Sequence, residues 1–299
     1  MRSHFIPSAQ NTGQTAPPAT KRTMGSHFLM TGAAMACALS ATTAMMPGVC
    51  SGQIAADYAT DLTYSGGWAA GQNGGSGFGA WSFNGTDPTP AGVYQGMTTS
   101  SPIGTAWSLF THANNTGLAN AGRAISEVGG LQAGQMFSTT IDNPTAYHFF
   151  RGFDMLFTSG PNNNAGGNNT AALRVSVFNY GGQNWHLNDL VSVDTGLSSL
   201  TTGAAGMKLD LTLTSATTYS LTLTPLNGAT PYTHSGTFAA VLPITWVDFR
   251  LYDGTSAGLD DTANNFEISS MTISAVPEPS TWALIGLAST SILLLRRRK

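Results

Sequence analysis

Between residues 57 and 275, apolar and polar positions alternate in short runs broken by Gly, Asn, Asp and Pro. A period of two marks a β-strand with one buried face, because successive side chains leave a pleated chain on opposite sides. The pattern predicts strands over residues 79–83, 92–97, 105–112, 122–128, 135–142, 147–158, 171–180, 207–214, 218–224, 244–252 and 266–273. The clearest hairpin pairs 207–214 with 218–224. Leu209, Leu211 and Leu213 share a face with Tyr219, Leu221 and Leu223, while Asp210, Thr212, Thr214, Thr222 and Thr224 take the other. In 244–252, Val247, Phe249 and Leu251 form a core face, and Asp248 and Arg250 a solvated one. Arg151 shares the parity of Phe149, Phe153, Met155 and Phe157, which requires a bulge or a paired, buried arginine. The parity of 266–273 shifts between Ile268 and Met271, so a bulge is expected near Ser269 and Ser270. No helical period longer than about three turns interrupts these runs. The expected fold is all-β, an antiparallel β-sandwich of jelly-roll type.

Both ends of the chain depart from this alternation. Residues 1–27 are polar and end near Lys21 and Arg22, and 28–46 is an uncharged run rich in Ala, Met and Leu. That order is a secretory signal peptide with a long leader, and small residues allow cleavage after Ala44 or Ala56. At the other end, Val276-Pro277-Glu278-Pro279 precedes an uncharged run, 282–295, and then Arg296, Arg297, Arg298 and Lys299. Prolines disfavour helix before Pro279. Ser280 or Thr281 can cap the helix that follows. Trp282, Leu284, Ile285, Leu287, Ile292, Leu293, Leu294 and Leu295 give it an apolar surface. Its length of roughly 21 Å is short of a hydrocarbon core of about 30 Å, so flanking residues or a thinned bilayer complete the span. The four terminal cations mark the cytoplasmic end and stop transfer. Three segments result: a leader and signal peptide (1–56), a β-sandwich domain (57–275) and a C-terminal sorting segment with a single transmembrane helix (276–299).

Charge narrows the range of partners. The net charge of −3 conceals a partition, since 57–275 holds five cations against fourteen acids. A domain this acidic disfavours nucleic acid, whose phosphates require Lys and Arg. Cys37 and Cys50 both precede the β domain, which leaves it no disulfide framework and no thiolate metal site. Neither cysteine sits in a good lipobox.

The order Pro-Glu-Pro, short apolar helix, Arg-rich terminus, at the extreme C-terminus and behind a secretion signal, resembles the PEP-CTERM protein-sorting signal of Gram-negative bacteria. That signal is also labelled the ice-binding protein C-terminal domain. The resemblance covers about 24 of 299 residues. It implies export, retention in the inner membrane by the helix, and processing near Pro277-Glu278-Pro279 by an exosortase. It also implies association with exopolysaccharide and a final place at the cell surface or in the extracellular matrix. More loosely, Ala106–Phe110, Gly134–Asn143, Leu211–Thr224 and Asp253–Asn265 resemble segments of uncharacterised sorting-tail proteins with concanavalin A-like, lectin-like jelly rolls.

Chemistry in the middle of the chain is sparse. A sandwich glycosidase of lectin-like build carries a Glu-x-Asp-x-x-Glu strand, whereas Glu127, Glu267 and Glu278 stand apart. There is no Gly-x-Ser-x-Gly elbow and no His-Glu-x-x-His pair. The expectation is a non-enzymatic protein without a cofactor. One loop supplies the oxygens a calcium ion takes, and its candidate ligands are Asp253, Asp260, Asp261 and Asn264. The same residue types serve ordinary turns. Trp68, Phe78, Trp81, Trp185 and Tyr232 can stack on sugar rings or fill the core. Thr212, Thr214, Thr222 and Thr224 form a small hydroxyl grid of the kind found on ice-binding surfaces. The expected function is therefore a sorted surface or matrix protein, with a carbohydrate-binding module acting on exopolysaccharide as the alternative.

Overall fold

The computed structural model describes residues 52–86, 94–110, 117–126, 129–142, 151–161, 171–179, 184–189, 192–198, 205–238, 243–253 and 265–276. These form fifteen strands: β1 (Gln53–Tyr58), β2 (Ser82–Thr86), β3 (Tyr94–Ser101), β4 (Gly104–Phe110), β5 (Gly117–Ala124), β6 (Gln135–Asp142), β7 (Arg151–Thr158), β8 (Ala171–Asn179), β9 (Asn184–Asn188), β10 (Ser192–Ser198), β11 (Met207–Leu213), β12 (Thr218–Pro225), β13 (Tyr232–Thr237), β14 (Trp246–Asp253) and β15 (Asn265–Ala275). One 3₁₀ turn, Leu62–Tyr64, follows β1. Every strand pairing is antiparallel. An eight-stranded sheet runs β13-β12-β11-β6-β15-β4-β3 with β1 added beside β15, and a seven-stranded sheet runs β10-β9-β8-β7-β14-β5-β2. The protein is an all-β antiparallel sandwich.

Period-two residues build a single core between the sheets. Leu209, Leu211, Leu221 and Leu223 from one sheet and Val175, Phe157, Val247 and Phe249 from the other are all fully buried. Aromatic residues fill one end. Trp68 meets Trp81 edge-on at 4.9 Å, and Tyr64 and Trp81 each meet Trp107 at 5.2 Å. Such T-shaped contacts satisfy the ring quadrupoles better than face-to-face stacking. The 207–214/218–224 hairpin appears in the expected register, Leu211 opposite Leu221. The bulge expected at Ser269 and Ser270 is present as a register shift between Ile268 and Ser270.

One sequence reading needs correction. Asp248 and Arg250 do not form a solvated face; Arg250 has no exposed surface and Asp248 is 2% exposed. Of the aromatic residues that could stack on sugars or fill the core, Trp68, Phe78, Trp81 and Trp185 are buried in the core, and Tyr232 is half-buried. The chain also enters the sandwich earlier than residue 57, because β1 starts at Gln53 and buries Ala55 and Ala56. Cleavage after Ala56 would cut this strand in two.

The chain enters and leaves the sandwich side by side. β1 runs antiparallel to the C-terminal half of β15, with Gln53 opposite Ser274. Ala275 N donates to Gly52 O at 3.2 Å and Val276 N to Gly134 O at 2.7 Å.

Candidate functional site

Three arrangements of polar side chains stand out among the described residues. The first crosses the outward face of the seven-stranded sheet. Strand register aligns Asn120, Arg250, Asp154, Ser176, His186 and Asp194 in one row across β5, β14, β7, β8, β9 and β10. A neighbouring row places Gly122, Asp248, Leu156, Arg174 and Asn188 across β5 to β9. At the centre, Arg250 Nε and Nη2 each donate to one Asp154 oxygen at 2.7 Å. Arg174 Nε lies 2.7 Å from Asp154 Oδ2. Two guanidiniums therefore share one buried carboxylate. Asp248 accepts from Trp246 Nε1 at 2.8 Å. Gly122 is required at its place: a Cβ there would lie 2.0 Å from Asp248 Oδ1. Asp154 thereby ties β7 to β14 and β8.

A second arrangement ties β1 into the fold. The buried Arg123 guanidinium pairs with Asp57 and donates to Gly79 O at 2.9 and 2.6 Å and to Asn73 Oδ1 at 2.6 Å. It also lies 4.7 Å from the Trp81 ring and 5.0 Å from Phe78, a cation–π sandwich. Tyr64 Oη donates to Asp57 at 2.6 Å. Burial, then this bond to Asp57, pushes the Tyr64 hydroxyl up to about 12. Burial also raises the Asp57 carboxyl above its ordinary value, against the pull of Arg123.

The third joins two carboxyls that the sequence reading left apart. Glu267 on β15 sits directly opposite Asp142 on β6, and both are buried. Ser101 Oγ donates to Asp142 at 3.3 Å. Burial pushes Glu267 upward, opposed by a hydrogen bond from Ser101. Only cross-strand register reveals this pair, since the two residues are far apart in sequence.

The sequence-predicted sites fall mostly elsewhere. Asp253 ends β14, while Asp260, Asp261 and Asn264 lie outside the described residues. Among the described residues no three His, Cys, Asp or Glu side chains converge as a metal set. Val276 is the last described residue. Pro277, Glu278 and Pro279, the apolar run from Trp282 to Leu295 and the basic end from Arg296 to Lys299 lie outside them, as do residues 1–51, where a signal peptide is expected. Among the described residues no helix is long and apolar enough to cross a membrane.

The decisive likeness lies at the C-terminal end, where residues 275–299 match the PEP-CTERM protein-sorting motif. The chain carries a PEP-CTERM sorting motif. Ala275, the first residue of that match, is the last residue of β15. No curated protein matches the chain. Among solved structures, lectin II from Ulex europaeus is similar over 71% of this chain and 96% of its own, at 9% identity and a TM-score of 0.42. Arcelin-5, a lectin-like defense protein from Phaseolus vulgaris, is similar over 66% and 99%, at 13% identity and a TM-score of 0.40. An uncharacterized protein from Mycobacterium paratuberculosis is similar over 69% and 95%, at 10% identity and a TM-score of 0.39. Likenesses at this level assign no ligand and no activity to the PEP-CTERM chain.

Proposed function

We propose that this is an exported, non-enzymatic surface or matrix protein whose β-sandwich is delivered through its PEP-CTERM signal. In this reading a signal peptide starts export. The helix of 282–295 then holds the chain in the inner membrane until an exosortase acts near Pro277-Glu278-Pro279. One observation carries the reading: the sorting motif starts at Ala275, the last residue of β15, and its second residue, Val276, is still bonded to the sandwich through Gly134 O. From Val276 the chain can extend at most about 20 Å before Trp282. The end of the sandwich where β1 starts and β15 stops therefore faces the membrane while the helix is inserted. The carboxylates support a non-enzymatic role, because Asp57, Asp154 and Asp248 are engaged by Arg123, by Arg250 and Arg174, and by Trp246, and the Asp142–Glu267 pair is buried, with no more than 3% of either residue exposed. The test is fractionation of cells with and without the exosortase, comparing the full chain with one lacking 276–299. Retention of the full chain only in exosortase-deficient membranes supports the reading. Identical distribution in all samples sinks it.

A second reading is a lectin-like jelly roll that binds exopolysaccharide. The observation favouring it is the outward face of β13, β12 and β11, which carries many hydroxyls that are half-buried or exposed. Calcium held by the 253–265 loop belongs to this reading. A melting midpoint that is the same in chelator and in excess calcium counts against the ion.

A further inference from the structure

Register turns the small Thr grid of one hairpin into a lattice across five strands. One row reads Thr233, Thr222, Asp210, Ser138 and Thr272 over β13, β12, β11, β6 and β15. The next reads Ser235, Ser220, Thr212, Met136 and Ser274 over the same strands. Thr224, Lys208, Thr140 and Ser270 make a third. Neighbouring strands lie about 4.8 Å apart, and same-face residues within a strand about 6.8 Å apart. Of these fourteen positions only Ser138 is buried; the others are half-buried or exposed.

The composition of the lattice narrows its partner. Its only charges, Lys208 and Asp210, meet at 3.0 Å and cancel. A face with one paired cation has nothing to offer phosphates. A protein partner would require a desolvated apolar or aromatic centre, whereas in these rows across the five strands the only apolar side chain is Met136, and the exposed Tyr58, beside Ser270 on β1, lies at the margin. An ordered-water lattice would be broken at mid-face by the Lys208–Asp210 pair, which keeps its own hydration. Hydroxyls both donate and accept and rotate to suit. They are matched by another uncharged surface of hydroxyls. We propose that this face of the eight-stranded sheet docks a neutral, polyhydroxylated polysaccharide through many weak hydrogen bonds. The inference rests on the carbohydrate-binding reading and gives it a surface distinct from the buried aromatic residues. Because each hydroxyl contributes little, the lattice favours long polymers, on which successive repeats bind at high effective concentration.

The test uses the full chain purified in detergent, with affinity electrophoresis through gels containing dextran or alginate. Thr212→Val, Thr222→Val and Thr233→Val together remove three hydroxyls while keeping shape and strand propensity. Expected are retardation by dextran, little by alginate, and a loss of affinity of about tenfold or more in the triple variant with an unchanged melting midpoint. Stronger binding to alginate overturns the proposal, as does no retardation of the native protein. Thermal hysteresis without polysaccharide binding overturns it in favour of ice. Native-like dextran binding by the folded triple variant also overturns it, but leaves carbohydrate binding standing at another surface. None of these outcomes depends on sorting, which fractionation tests separately.

Discussion

Replacing Arg123 with Met probes the lock that holds the entering strand. Arg123 and Asp57 side chains are both fully buried. Removing one partner of such a pair costs about 3–5 kcal/mol, because the other charge is left in a medium that solvates it poorly. The variant also orphans Gly79 O and Asn73 Oδ1 and empties the space beside Phe78 and Trp81. For a domain of 150–250 residues, a loss of that size lowers the melting midpoint by roughly 6–20 °C. The pH dependence gives a second signature. Asp57 is already raised by burial, and without Arg123 it rises further. A carboxyl with a folded value above its unfolded one binds protons more readily in the folded state, so stability increases as pH falls through that folded value. The R123M deficit should thus shrink as the pH is lowered from 7. Adding Asp57→Asn, which keeps an acceptor for Tyr64 but removes the stranded charge, should recover part of the loss. Thermal unfolding followed by circular dichroism reads all three. A midpoint for R123M within about 2 °C of the native protein at pH 7 would refute the lock.

Two further outcomes follow from the same residues. The exported protein should begin upstream of Gln53, since a chain starting at Asp57 loses most of β1 and the Ala56–Ser76 backbone bonds of 3.0 and 2.8 Å; N-terminal sequencing that finds Asp57 in first place would contradict this. Glu267→Gln should raise the midpoint at pH 7. Burial sets the native Glu267 above its ordinary value of 4.5, so its penalty is complete above the folded value and fades as pH drops toward 4.5. A gap between the two proteins that does not narrow on acidification would show that Glu267 is not the source.

The core was legible because burial enforces alternation. Strand β6 was expected at its observed bounds, and the shift near Ser269 was visible as a change of parity. The strands missed were β1, β9, β10 and β13. Strands β10 and β13 are sheet edges, where polar residues replace half of the usual apolar face. The small residues of β1 read as the end of a leader, although Ala55 is fully buried against the core. Asp248 and Arg250 looked solvated because alternation records which residues are polar, not whether charges from neighbouring strands meet them. The Arg250–Asp154 and Glu267–Asp142 pairs depend on register between distant segments, which no local pattern carries. The sorting tail was legible for the opposite reason: its information is local, a linear order of proline, apolar run and cations.

The central claim, that a folded sandwich is released at the motif adjoining β15, is tested most directly at the C-terminus itself. Mass spectrometry of the protein from cells and from culture fluid should find a released form ending near Pro277-Glu278-Pro279, absent when the exosortase is removed. An intact Lys299 in the released protein would contradict the account.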